Sequence, residues 1–255
     1  MSLDAEIQLL RDGHVAHIVL ARAPHNHVDV DFMARLSGVL RGLDADEQCR
    51  AVVLSSGVSA FCAGADFGTA ATGGERDPAA FYAQALKLFQ NRKPIVAAIE
   101  GAAVGAGLGL ALAVDFRVAS ASARFSANFN RLGFHPGFGL SATLPRLIGQ
   151  QKAAWMFYTG QRVKGDEAAA IGLADACVPA GEALGRAMRW AREIAASAPL
   201  AVESTRETLR LGLFDAIVQA NQRELDLQRR QFKTQDFREG VAAMAQRRTP
   251  IFHGR

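Results

Sequence analysis

The chain has 255 residues, enough for one large domain or a domain with an appendage. Hydrophobic residues make up 49% and charged residues 21%, which excludes a disordered chain. The net charge of +4 is mild, and its Lys and Arg residues are scattered, so a nucleic-acid-binding surface is not expected. The apolar stretch around Val104 to Val114 is too short to span a bilayer. The first residues lack the basic-then-apolar pattern of a signal peptide. Cys49, Cys62 and Cys177 cannot all pair and none lies in a CxxC, so a reduced, cytoplasmic setting is expected.

In chain order, Glu6 to Leu10 and Val15 to Ala21 are apolar runs joined by Asp12-Gly13, the pattern of a β-hairpin. Phe32, Leu36, Val39, Leu40 and Leu43 recur at helical spacing and predict a helix over Val30 to Leu43. Ala51 to Ser55 predicts a buried strand. Thr69 to Asp77, rich in Gly and Ala, predicts a mobile loop. A helix over Phe81 to Gln90 ends before Pro94, and Ile95 to Ile99 predicts the next strand. Gly105 to Ala113 predicts a helix; Phe116 to Ala119 and Arg124 to Ser126 predict strands. This alternation implies an α/β unit with mostly parallel, buried strands. Beyond Leu140 the pattern turns helical, over Leu140 to Ile148, Lys152 to Tyr158, Asp166 to Ile171, Leu184 to Ser197, Pro199 to Leu211 and Phe214 to Phe232. One short strand, Asp175 to Val178, interrupts these helices. The expected division is an α/β core over 1–198 and a helical region over 199–255.

Two segments carry the chemistry. Ala60-Phe61-Cys62-Ala63-Gly64-Ala65-Asp66 follows a strand and is almost bare of side chains, so its backbone N–H groups can approach a ligand closely. Glu100 to Gly109 also follows a strand and opens a helix, whose first N–H groups have no internal partner. Two such turns at neighbouring strand ends could converge on one oxygen, which is the geometry of an oxyanion hole. The glycines at 105, 107 and 109 do not fit a dinucleotide fingerprint: the third comes one residue early, and no acidic residue follows at the required distance. The stretch Ala123 to Gly139 alternates Gly, Pro and aromatics and suits a pocket wall more than regular structure.

These two turns, with Lys93-Pro94-Ile95-Val96-Ala97-Ala98, the run Ala111 to Val118 containing Asp115, Leu132-Gly133-x-x-Pro136-Gly137, Ala168 to Val178 and Arg238-Glu239-Gly240, resemble the crotonase (enoyl-CoA hydratase/isomerase) superfamily. The resemblance covers nearly the whole chain in order. It implies a spiral of ββα units followed by a helical trimerisation region, assembled as a trimer or a dimer of trimers. It implies a coenzyme A thioester as substrate, with no separate cofactor. The family's oxyanion amides fall on Ala65 and Ala106, and its coenzyme-binding positions on Ala63, Asp66, Met244 and Arg247, with the segment Arg22 to His27 along the coenzyme approach. The family's phosphate-binding Lys falls on Gly68.

The catalytic positions depart from the family. Its two hydratase glutamates fall on Gly109 and Phe129, and the aspartate of other members on Gly137, so two-glutamate hydration of a double bond is not expected. His135, beside Pro136, is the candidate acid–base group near the missing aspartate. The other candidates have plainer readings. Asp66 suits an acceptor for loop amides, His25-x-His27 lacks the further ligands of a metal site, Cys62 suits a small buried hydrophobe, and Glu100 suits an ion pair at a strand end.

Overall fold

The computed structural model describes residues 5–65 and 77–255. The expected loop at 69–77 therefore lies outside the described residues, apart from Asp77. In chain order the elements are β1 (Ile7–Asp12), β2 (Val15–Leu20), α1 (Val30–Ala45), β3 (Ala51–Ser56), α2 (Ala79–Lys87), β4 (Ile95–Ile99), β5 (Ala102–Val104), α3 (Ala106–Ala113), β6 (Phe116–Ser120) and β7 (Arg124–Ser126). They continue with α4 (Leu140–Ile148), α5 (Gln150–Thr159), β8 (Val163–Lys164), α6 (Gly165–Ala170), β9 (Ala176–Val178), α7 (Ala183–Ala195), α8 (Pro199–Leu209), α9 (Leu213–Gln231) and α10 (Gln235–Ala245).

The described strands form a six-stranded sheet in the order β1-β2-β3-β4-β6-β9, and a three-stranded sheet in the order β5-β7-β8. β1 and β2 pair antiparallel; β2 to β9 in the larger sheet pair parallel. The Asp12-Gly13 turn and the alternation of helices with strands thus produce the expected mixed α/β architecture. β4 is apolar along its whole length and β3 from Ala51 to Leu54, because both faces are covered. Val52, Leu54, Ala97 and Ile99 face the main core, while the alternating Val53, Val96 and Ala98 face α7. α7 places Ala183, Ala187, Ala191 and Ala195 at four-residue spacing, and this stripe of small side chains lets the helix lie close on the sheet.

α1 begins where Asp29 accepts a hydrogen bond from the Phe32 N–H at 2.8 Å, the usual role of an N-cap aspartate. Phe32, Leu36, Leu40 and Leu43 then bury one face. α8 is attached differently: none of its residues is buried, and it is tied to the sheet by charge. Arg206 and Arg210 reach Asp115 at 2.9 and 3.0 Å, and Lys93 reaches Glu203 at 2.5 Å. Its Leu200 and the following Leu211 stay 81% and 77% exposed. α9 and α10 fold back on the chain's own core. α9 packs on α4 and α2, and α10 packs on a 3₁₀ turn at Asn128–Leu132.

Three features differ from the sequence reading. β5 and β8, of three and two residues, carry too few positions for an alternating pattern. The stretch read as a pocket wall contains the 3₁₀ turn at 128–132. α10 was not visible as a periodic segment, although Thr234 caps it by accepting from the Phe237 N–H. Among the described residues no helix is long and apolar enough to cross a membrane.

Candidate active site

The two small-residue turns meet. The Cys62 N–H donates to the Ala102 carbonyl at 2.9 Å, and the Val104 N–H donates back to the Cys62 carbonyl at 3.1 Å. This parallel bridge fixes the register between the turns. Two glycines make the approach possible. A Cβ on Gly107 would stand 2.0 Å from the Cys62 carbonyl oxygen, so any side chain there would force the turns apart. Gly64 has a φ of +109° and presses on the Val104 carbonyl, and a Cβ built on it would lie 4.0 Å from the Ala106 nitrogen.

Ala65 and Ala106 therefore come to one place. The Ala106 N–H is the first of α3 and has no acceptor within the helix. Among the described residues the Ala65 N–H has no backbone acceptor either. On the other side, Val28 bridges Ala65 and donates to the Gly64 carbonyl at 3.0 Å, and the Ala63 N–H donates to His25. The segment at 25–28 thus forms a second edge of the same turn.

The amides open on a cavity of about 540 Å³. Its wall includes His27, Val28, Ala63, Gly64, Ala65, Gly105, Ala106 and Asn128. Phe81, Phe129, Leu132, Phe134, Phe232 and Met244 give it a largely apolar side, and Asp29, Asp77, Tyr82 and Arg162 add polar groups. The rings interlock edge-to-face, with Phe129 and Phe134 centroids 5.5 Å apart. Phe232 directly follows α9 and Met244 stands near the end of α10, so the helical region contributes directly to the cavity.

The two acids on the wall are already engaged. Burial pushes the Asp29 carboxyl up, but hydrogen bonds from Arg22 and the Phe32 amide outweigh it and hold the carboxyl low. The hydrogen bond from Arg229, at 2.8 Å, holds Asp77 low in the same way. Both are carboxylates at neutral pH and poor proton donors. Tyr82 donates to Gln228 at 2.9 Å. His27 is different: its Nδ1 is buried and finds no hydrogen-bond partner. His27 ends the segment expected along the coenzyme approach and Asn128 lies in the stretch read as a pocket wall; both line the cavity, as do Phe129, Leu132 and Phe134 of that stretch.

The remaining sequence candidates are placed as follows. His135 is not among the residues lining the cavity. Its ring Nδ1 lies 2.8 Å from the Pro136 carbonyl, its N–H donates to Gln231 and its carbonyl accepts from Gln228. α9 thus clasps this loop, and the clasp turns His135 from the wall that Phe134 reaches. Met244 lines the cavity, whereas Arg247 is exposed beyond the end of α10 and does not. Asp66 and Gly68 lie outside the described residues. Cys62 is fully buried, which pushes its thiol up to about 12 and leaves it inert as a nucleophile. Glu100 accepts from Ser122 at 3.0 Å and from the Gly181 and Ala183 amides, so it fastens the start of α7 instead of serving the cavity. Among the described residues no three His, Cys, Asp or Glu side chains are grouped to hold a metal ion.

The family model described as enoyl-CoA hydratase/isomerase matches residues 11–255. A short-chain-enoyl-CoA hydratase of Clostridium acetobutylicum is 30% identical over 94% of this chain and 94% of its own length. A carnitinyl-CoA dehydratase of Proteus mirabilis is 32% identical over 99% of this chain and the whole of its own. The solved structure of an enoyl-CoA hydratase/isomerase from Pseudoalteromonas atlantica superimposes with a TM-score of 0.88 at 26% identity, covering 97% of this chain and all of that one.

Proposed function

Because the chain belongs to the enoyl-CoA hydratase/isomerase family, we propose that it binds an acyl-coenzyme A thioester and stabilises the enolate of that thioester with the Ala65 and Ala106 N–H groups. The observation that carries this reading is that Ala65 and Ala106, whose amides have no backbone acceptor among the described residues, line one largely apolar cavity. Oriented amides facing a developing oxyanion in a site that excludes water are among the strongest devices for lowering such a barrier. The aromatic wall suits an apolar acyl group, and the edge at 25–28, where His25 is exposed, suits the coenzyme arm.

The reaction itself follows from which acids are missing. At the positions where family hydratases carry glutamates, this chain has Gly109 and Phe129, and where other members carry an aspartate it has Gly137. None of these is simply vacant. The Phe138 ring occupies the space beside Gly109, Phe129 packs on Phe134, and the Tyr82 hydroxyl fills the space beside Gly137. Hydration needs one group to activate water and another to protonate the α-carbon. Decarboxylation needs no group to activate water: the C–C bond breaks, its electron pair passes into the enolate that the two amides stabilise, CO₂ leaves, and a proton from solvent adds at the α-carbon. We therefore favour decarboxylation, or another reaction whose proton is handled by the substrate, over hydration.

A panel of acyl-CoAs, including crotonyl-CoA and carboxylated acyl-CoAs, tests this. The expected result is turnover of a carboxylated member and none of crotonyl-CoA above background. Hydration of crotonyl-CoA at ordinary enzymatic rates would sink it. Binding of acyl-CoAs without any turnover would make the chain an acyl-CoA-binding protein instead.

The helical region at 199–255 is proposed to assemble the chain into trimers or dimers of trimers. Its support is that three leucines of α8 and the turn after it, Leu200, Leu209 and Leu211, are left exposed by the chain's own core. Sedimentation at micromolar concentration is expected to show a species at least three times the chain's mass; a pure monomer would count against it.

A further inference from the structure

We infer that Phe138 is a stopper that closes the acyl end of this cavity and limits the site to short acyl groups, an inference that rests on the acyl-CoA reading above. The direction of the cavity comes from α3. Gly105 and Ala106 are on the wall, and Gly109, one helical turn along α3 on the face that Gly105 starts, is buried behind it. Gly109 has no side chain of its own to block the path. The blocking group is Phe138: a Cβ built on Gly109 would fall 2.5 Å from its Cγ and 2.6 Å from its Cδ1.

The ring is only 1% exposed. It meets the wall residue Phe81 edge-to-face at 6.0 Å and Phe89 behind it at 6.2 Å. Its backbone is held at a φ of +66°, a region that a bulky side chain occupies only at an energetic cost. Neighbouring bonds enforce that conformation. The Gly139 N–H donates to Glu224 at 2.7 Å, and the Leu140 N–H closes back on the Gly137 carbonyl at 3.1 Å. A ring fixed by its backbone directly behind the wall residue Phe81, against a glycine that leaves room for it, backs the wall and so sets the depth of the cavity.

Calorimetric binding of saturated acyl-CoAs from acetyl to decanoyl, with free coenzyme A as reference, tests this on wild type, Phe138→Leu and Phe138→Ala. Wild-type affinity is expected to stop rising after a few carbons. In Phe138→Ala it should continue to rise roughly fourfold per added methylene for two or three more carbons, with Phe138→Leu between the two and coenzyme A affinity unchanged. Superimposed profiles would overturn the stopper while leaving acyl-CoA binding intact. Failure of wild type to bind any acyl-CoA would overturn both. Should Phe138→Ala not fold, Phe138→Leu carries the binding test, and a double-mutant cycle with Gly109→Ala adds a second. The Gly109→Ala cost in denaturant midpoint should shrink in a Phe138→Gly background, which removes the three nearest atoms that the new Cβ would meet and suits the left-handed φ; strictly additive costs would overturn the contact on which the stopper depends.

Discussion

Replacing Ala106 by proline is expected to lower turnover of the acyl-CoA identified by the panel by about 100- to 1000-fold, the cost of one oxyanion donor, with the fold unchanged. The prediction is sharp because of where Ala106 stands. It is the first residue of α3, where a helix tolerates proline best: the ring matches the helical φ, and the lost N–H had no internal acceptor. Gly105 before it sits at φ +56° and ψ −117°, outside the right-handed helical region that proline disfavours in its predecessor. The substitution therefore removes one donor and little else. An amide that acts only on the developing enolate should show equal losses in kcat and kcat/KM, with coenzyme A affinity retained. An Ala106→Ser control keeps the amide and should stay near wild type. A proline variant within about threefold of wild type would remove Ala106 from the mechanism. Complete loss is not expected, because the Ala65 amide remains in place.

The sequence made the scaffold and the two turns legible because both depend on local patterns. Continuous apolar runs marked the buried strands, and small residues marked the places where backbone approaches backbone, as at Gly107 against Cys62. The missing acids were also legible, as Gly109, Phe129 and Gly137. What was not legible is what fills their space. The Phe138 ring reaches Gly109 across 29 positions, and Tyr82 reaches Gly137 across a still longer separation, so no spacing rule connects either pair. His135 illustrates the same limit. Its identity and its place beside Pro136 suggested a catalytic group, yet Gln228 and Gln231, almost a hundred residues on, decide where its loop sits. His27 shows the converse: its pairing with His25 suggested a metal ligand at most, yet once the segment at 25–28 pairs with Gly64 and Ala65 it becomes a wall residue whose Nδ1 has no partner among the described residues.

Glu224 is the other position where a large effect is expected. It lies fully buried on α9, and its carboxyl accepts from the Gly139 N–H at 2.7 Å and from the Ser141 N–H and hydroxyl at 2.9 and 2.5 Å. It therefore holds the start of α4 and the loop that carries Phe138. Glu224→Ala removes the acceptor for the buried Gly139 amide and leaves a void, and should lower stability by about 2–4 kcal/mol in denaturant unfolding. Glu224→Gln keeps an acceptor oxygen and should lose about 1 kcal/mol or less at neutral pH. The pH dependence separates these roles further. Burial pushes the carboxyl above its ordinary value of 4.5, against the pull of the Ser141 and Gly139 hydrogen bonds and of His135. Above that ordinary value the folded chain keeps a proton that the unfolded chain has already released, so stability falls as pH rises through the raised value. Relative to Glu224→Gln, wild type should be most favoured below pH 4.5 and lose that advantage on going up in pH. A wild-type advantage that grows with rising pH would instead mean that the hydrogen bonds outweigh burial and that Glu224 holds the Phe138 loop as a carboxylate.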